Sequence, residues 1–142
     1  MTTVRHLLDQ KGRSVWSIRP DETVFDAVKK MADKNIGSLV VMDGEQVLGI
    51  ITERHYARNV VLKGKASPVT PVRDIMETRV VVTRPDDTVE RCMALMTEKR
   101  VRHLPVVDGE ELVGIVSIGD LVKSIIGDQK FMIDQLEHYI HG

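Results

Sequence analysis

Residues 39–52 read Leu39-Val40-Val41-Met42-Asp43-Gly44-Glu45-Gln46-Val47-Leu48-Gly49-Ile50-Ile51-Thr52, and residues 104–117 read Leu104-Pro105-Val106-Val107-Asp108-Gly109-Glu110-Glu111-Leu112-Val113-Gly114-Ile115-Val116-Ser117. Each stretch is a short β-branched run, an Asp-Gly turn signal and a second apolar run, the pattern of a β-hairpin. The two lie 65 residues apart (Leu39 to Leu104), and the same offset carries Arg19-Pro20-Asp21-Glu22-Thr23-Val24 onto Arg84-Pro85-Asp86-Asp87-Thr88-Val89 without a gap. Three matches in order at one spacing mark an internal duplication.

Working outward from the hairpins, each copy has the same order. Val24, Ala27, Val28 and Met31 stand at i, i+3, i+4 and i+7, and Val89, Cys92, Met93 and Met96 repeat that stripe, so an amphipathic helix is predicted before each hairpin. Its cap is either Asp21 or Thr23 in the first copy, and Asp86 or Thr88 in the second. A short strand is predicted ahead of each helix, near Val15-Trp16-Ser17-Ile18 and Val80-Val81-Val82-Thr83. A second helix closes each copy, over 53–62 and 118–126, and a further helix with an apolar side is predicted over 131–140. The fold class is α/β (α+β): two β-α-β-β-α repeats, expected to pack sheet to sheet with pseudo-two-fold symmetry because one unit of about 50 residues cannot cover its own small sheet. The boundaries read as residues 1–66 for the first repeat with its N-terminal segment, 67–127 for the second and 128–142 for the C-terminal helix, with the Pro-containing stretch 63–71 as linker.

Composition narrows the function classes. The 142 residues are 42% hydrophobic and 29% charged, with 4% aromatics and a formal net charge of -1. That is an ordinary aliphatic-core domain without a global field for nucleic acid or an anionic membrane. No apolar run nears the roughly 18–20 residues of a membrane span. The opening residues lack the apolar core of a signal peptide, so a cytoplasmic location is expected. Cys92 is the single cysteine and reads as a buried thiol. His138 and His141 share a helix face but are two ligands only, so no metal site is expected. No Gly-x-Ser-x-Gly, P-loop or dinucleotide glycine fingerprint is present, so no catalytic residue is assigned and no catalytic cofactor is expected.

In Asp74-Ile75-Met76, Val101-Arg102-His103-Leu104-Pro105-Val106-Val107-Asp108 and Gly114-Ile115-Val116-Ser117-Ile118-Gly119-Asp120-Leu121, the chain resembles the CBS-domain pair, or Bateman module, and the resemblance runs from about Val4 to Ile126. It is most similar to stand-alone bacterial members, including their closing helix Gln135-Leu136-Glu137-His138-Tyr139-Ile140. The resemblance implies a regulatory sensor of energy or redox state that binds AMP or a related adenylate. ADP, ATP, NAD(H) and S-adenosylmethionine are the other candidates. It also implies a homodimer of modules and a separate effector protein that receives the signal. The alternative is a protein-interaction or structural module without regulated nucleotide binding.

The resemblance further implies a cleft between the repeats as the nucleotide site. Ser117 and Asp120 complete a Gly-x-x-Ser/Thr-x-x-Asp motif. A carboxylate suits a ribose diol and a hydroxyl at a helix start suits phosphate, although the same two residues would also serve as a plain helix cap. Ile115, Arg102 and His103 are expected beside them, with Trp16, Ile36, Gly37 and Ser38 of the first repeat completing the pocket. The mirror site would use Thr52, Arg54, His55, Val81 and Val101. There His55 replaces the motif aspartate, and imidazole cannot hold a diol as two carboxylate oxygens do, so that site is expected to be empty, weaker or altered in preference.

Overall fold

The computed structural model describes residues 2–65 and 67–141, without the side chain of His141. The chain divides into two compact units. One comprises residues 14–80, and the other joins the N-terminal segment through Arg13 to the residues from Val81 onward.

In the unit of residues 14–80, β1 (Ser17–Ile18), β2 (Ser38–Asp43) and β3 (Gln46–Thr52) form one sheet in that order. β1 runs parallel to β2, with Ser17 opposite Val40 and Ile18 opposite Val41. β2 and β3 are an antiparallel hairpin with Asp43 opposite Gln46 and an irregularity between Val41 and Met42. Gly44 closes the turn at φ +60°, a conformation that favours glycine. Helix α2 (Val24–Lys34) starts at Thr23, whose Oγ1 accepts the Asp26 N–H at 3.2 Å while Asp26 Oδ2 accepts the Thr23 N–H at 3.2 Å. Of the two predicted caps, threonine takes the place. Its stripe Val24, Ala27 and Met31 is buried in a core with Ile18, Leu39, Val41, Ile51, Val60, Val72 and Ile75. The predicted helix over 53–62 appears as α3 (Glu53–Tyr56) followed by a π-helical turn (Ala57–Val61).

The other unit repeats this plan. α4 (Val89–Lys99) is capped by Thr88, whose hydroxyl accepts the Arg91 N–H at 3.1 Å. β4 (His103–Asp108) and β5 (Glu111–Ser117) form the second hairpin, with the irregularity between Val106 and Val107. The strand predicted near 80–83 shrinks to a single bridge from Thr83 to Val106. Pro105 explains the loss. At the matching place of the first repeat, the Val40 N–H donates to the Trp16 carbonyl at 3.2 Å, and proline has no N–H to give. Cys92 is buried with Val89 and Met96, as its helix stripe predicts.

Each leading segment docks outside its own repeat. Val4-Arg5-His6-Leu7-Leu8 and Val72-Arg73-Asp74-Ile75-Met76 are equivalent in sequence and in bonding. Val4 and Arg5 N–H donate to the carbonyls of Asp87 (2.8 Å) and Pro85 (2.9 Å), and Val89 N–H donates to that of Thr2 (3.0 Å). In the first repeat, Val72 and Arg73 N–H donate to Glu22 (2.8 Å) and Pro20 (3.1 Å), and Val24 N–H donates to Thr70 (2.8 Å). Thus α1 (Val4–Lys11), grouped by sequence order with residues 1–66, packs in the core of the second repeat. There Val4, Leu7 and Leu8 are buried with Leu104, Val106, Val116 and Leu121.

The predicted break between helices 118–126 and 131–140 is absent. α5 (Ile118–His141) is one helix of 24 residues. The polar run Gly127-Asp128-Gln129-Lys130 contains no proline, and a lone glycine weakens a helix by about 1 kcal/mol relative to alanine without ending it. A Cβ at Gly127 would meet nothing within 4 Å. Gly127→Ala is therefore expected to raise the unfolding free energy by about 0.5–1 kcal/mol, read as a higher urea midpoint.

Candidate functional site

Ser117, the last residue of β5, and Asp120, in the first turn of α5, form a reciprocal cap. Asp120 Oδ2 accepts the Ser117 N–H at 2.8 Å, and Ser117 Oγ accepts the Asp120 N–H at 3.3 Å. The Ile118 N–H, free of any helical partner, donates to the Arg102 carbonyl at 2.9 Å. β4 brings His103 opposite Ser117 across the hairpin. These positions follow from the turn at Gly109 and the register it sets.

Lys11, which no motif marks in the sequence, completes the group. Its Nζ lies 2.6 Å from Asp120 Oδ2 and donates to the Ile115 carbonyl at 2.8 Å. The Lys11 and Asp120 side chains keep 33% and 22% of their exposure, so the pair is reachable from water. Burial by itself would raise the Asp120 carboxyl, but the Lys11 ammonium and the Ser117 N–H outweigh it and hold the group below its ordinary value. Burial, opposed by Asp120 and aided by Lys11 and Arg102, lowers His103, which favours the neutral imidazole. The Arg102 side chain is exposed, while Val81 and Val101 pack against the core of this unit.

The bonds from Lys11 and from the Ser117 N–H to Asp120 both use Oδ2. Oδ1 takes part in neither of these bonds and is not a buried unsatisfied atom, and the Ser117 hydroxyl also faces the carboxylate. The turn thus offers a carboxylate oxygen, a seryl hydroxyl able to donate, and an ammonium with one N–H left over.

The equivalent turn of the first repeat has the same plan with different chemistry. His55 Nδ1 accepts the Thr52 N–H at 3.1 Å, and Thr52 Oγ1 accepts the His55 N–H at 3.3 Å. The Glu53 N–H donates to the Gly37 carbonyl at 3.2 Å, as Ile118 does to Arg102. His55 therefore performs the capping half of the aspartate's work with a neutral ring and supplies no carboxylate. Arg54 is exposed, and Ser38, paired with Thr52, is buried. Ile36 packs against the core of this unit. Trp16 is 42% exposed, with Lys34 Nζ 4.3 Å from the ring centroid.

The His55 cap has a pH consequence. Burial holds the ring below its ordinary value, against the nearby Glu77. Protonation would turn Nδ1 into a donor facing the Thr52 N–H and place a positive charge at a helix start. Because the folded value is depressed, the unfolded chain takes up the proton first. The stability from this cap is complete above about 6.5, the unfolded histidine value, and is lost as pH falls below it toward the folded value. His55→Asp, which restores an acidic cap, is expected to flatten the dependence of Tm on pH between about 7 and 5. An unchanged slope would remove His55 from that titration.

The duplicated hairpin-and-helix plan, with a hydroxyl residue starting the closing helix of each copy, defines a tandem-repeat module. The CBS-domain family model matches residues 11–61 and 72–127, and the chain belongs to the CBS-domain family. The chain is similar to a CBS-domain protein of known structure from Burkholderia ambifaria MC40-6, at 50% identity and a TM-score of 0.88, covering 90% of this chain and 96% of that one. The CBS-domain containing protein ATU1752 from Agrobacterium tumefaciens is 40% identical, with a TM-score of 0.83 over 87% of this chain and 98% of that one. Among curated relatives, the mitochondrial CBS domain-containing protein CBSX3 of Arabidopsis thaliana is 40% identical over 99% of this chain and 73% of its own length. Among the described residues no helix is long and apolar enough to cross a membrane, and no group of three or more His, Cys, Asp or Glu side chains is disposed to hold a metal. Of the histidine pair, the His141 side chain lies outside the described residues.

Proposed function

We propose that this chain is a regulatory module, not an enzyme, that binds an adenine nucleotide at the Ser117–Asp120 turn, with AMP the first choice and NAD(H), ADP and ATP as the close alternatives. The observation that carries this reading is the Asp120 carboxylate. It is held ionised by Lys11 and the Ser117 N–H on one oxygen, with the other oxygen open to a ribose hydroxyl. The Ser117 hydroxyl and the remaining Lys11 N–H supply donors for a phosphate, a charge-assisted contact in the lysine's case. Arg102 adds an exposed guanidinium, and His103 a neutral ring. Ile115 sits in β5 between Gly114 and Val116 and gives its carbonyl to Lys11. Trp16, Ile36, Gly37 and Ser38 are carried in the proposal as the base-binding complement that the family resemblance assigns. The first-repeat turn, with Thr52, Arg54 and His55, has no carboxylate for a ribose, so one nucleotide per chain is the expected stoichiometry. A cytoplasmic location, pairing of two modules and an effector protein outside the chain belong to the same proposal.

The test is thermal unfolding of nucleotide-free protein with AMP, ADP, ATP, NAD, NADH and S-adenosylmethionine, each at about 1 mM. A ligand at about 100 times its Kd adds about 2.7 kcal/mol. Asp120→Asn keeps a capping acceptor but loses the charge. It is expected to weaken binding by at least about tenfold, near 1.4 kcal/mol, measured against the variant's own baseline. Lys11→Met is expected to weaken AMP more than adenosine, since it removes a phosphate donor. No stabilisation by any of the six would reject the nucleotide reading in favour of a protein-interaction module.

A further inference from the structure

We infer that His103 is the residue by which the Ser117–Asp120 turn reads the charge of a phosphate: a phosphorylated adenylate binds with uptake of a proton from solvent onto the His103 ring, so the preference for AMP over unphosphorylated adenosine widens as pH falls. This rests on the nucleotide reading of the same turn and names its specificity and its pH regulation. The placement comes from the hairpin. His103 opens β4 and stands directly opposite Ser117, the last residue of β5. Directly opposed residues of an antiparallel pair share one face of the sheet, with Cβ atoms about 4.5–5.5 Å apart. A phosphate that takes the Ser117 hydroxyl therefore lies beside the imidazole. The ring is half-buried, and the charged groups that face it are Asp120 from α5, Lys11 from α1 and Arg102 from its own side of the hairpin. At the same place in the first repeat stands Ser38, buried opposite Thr52. Strand pairing therefore does not require an imidazole there. The copy that keeps the carboxylate carries a titratable ring where the other copy has a small hydroxyl.

Without a ligand, burial and the two cations hold the ring neutral against the pull of Asp120. A neutral imidazole has one N–H and one acceptor nitrogen, whereas a phosphate dianion only accepts. Protonation turns the second nitrogen into a donor and sets a positive charge against the phosphate, a charge-assisted contact. The charge balance at the turn favours this step. In the free chain the Asp120 carboxylate is already matched by the Lys11 ammonium at 2.6 Å. A phosphate monoester adds between about one and a half and two negative charges at neutral pH, which the imidazolium offsets in part. NAD, whose phosphates are diesters of lower charge, adds less, and adenosine adds none. Proton uptake therefore falls in the order AMP, NAD, adenosine. Because the complex holds the proton more tightly than the free chain, lowering the pH favours the complex, down to the value at which the free ring is itself protonated.

The test follows the His103 ring protons of the full chain by NMR between about pH 5.5 and 8.5, with and without saturating AMP, the resonances being assigned by their loss in His103→Asn. AMP is expected to raise the His103 midpoint by at least about one pH unit, and adenosine to leave it in place. By calorimetry, AMP affinity is expected to rise at least about threefold from about pH 8 to about pH 6.5, a window in which the phosphate of AMP, with a second pKa of about 6, stays mostly dianionic. Adenosine affinity is expected to stay flat over that window, as is AMP affinity in His103→Asn and in His103→Gln. A residue that only packed the hairpin would instead lower affinity alike at every pH. AMP that binds without moving the His103 midpoint, or a pH profile that AMP and adenosine share, would overturn this inference and leave the nucleotide reading standing. Absence of binding by any adenylate would remove both, and the binding isotherm itself tells that result from the others.

Discussion

Leu8→Ala is expected to lower the unfolding free energy by about 3–4 kcal/mol, the range for emptying a leucine from a tight core. Leu8 is 1% exposed and belongs to the cluster of Val4, Leu7, Leu104, Val106, Val116 and Leu121. Its methyl groups fill the space above Gly114, where an added Cβ would lie 2.7 Å from Leu8 Cδ2. The side chain is thus the plug that seats α1 on the β4–β5 hairpin, and the glycine beneath it leaves an open void when the plug is cut back. Urea unfolding with an unchanged m-value would give the loss directly. The same change is expected to loosen Lys11, three residues further along the same short helix, and with it the ammonium at Asp120. Adenylate binding should therefore weaken in Leu8→Ala, although Leu8 touches none of the proposed ligand-binding groups. A loss below about 1 kcal/mol would mean that α1 contributes little to the second repeat.

Gly49→Ala is the second large effect, expected at about 3 kcal/mol, the upper end for overpacking. An added Cβ would lie 2.6 Å from the Glu77 carbonyl oxygen, which is backbone and held in place. Ile50 N–H donates to that oxygen at 3.0 Å and Glu77 N–H returns a bond to Ile50 at 2.9 Å. Relief of the clash must therefore break a two-bond bridge or move the strand. Met76 Sδ stands a further 3.1 Å from the same point. At Gly114 the nearest atoms are instead the ends of one side chain, which turns more easily than backbone shifts. Gly114→Ala is accordingly expected to cost less than Gly49→Ala, and comparison of the two urea midpoints measures the difference. Equal losses would mean that the two glycines of this duplicated position meet equally rigid neighbours.

The two glycines show how much of the molecule was legible in the chain. The hairpins, their Asp-Gly turns and the amphipathic helices are local patterns, and the 65-residue offset repeats them, so they could be read directly. Buried Cys92 followed from its stripe. The loss of the strand near 80–83 also had a signal in Pro105, which stands where Val40 donates an N–H. The single α5 had a weaker one, since the polar run at 127–130 interrupts hydrophobicity without interrupting helix propensity.

Lys11 had none. It lies outside every motif, and its place beside Asp120 exists because Leu8 and Val4 carry α1 into a repeat that begins some seventy residues later. The swap of leading segments is likewise invisible to periodicity, because each segment looks as well suited to the hairpin that follows it as to the one it joins. Short-range chemistry, namely side-chain alternation, turn residues and caps, was written in the order of the residues because it depends only on near neighbours. The choice of which core receives α1, which ammonium meets Asp120 and which oxygen remains open belongs to the folded chain, because those are contacts between residues distant in sequence, selected by the burial of apolar area and the pairing of polar groups together.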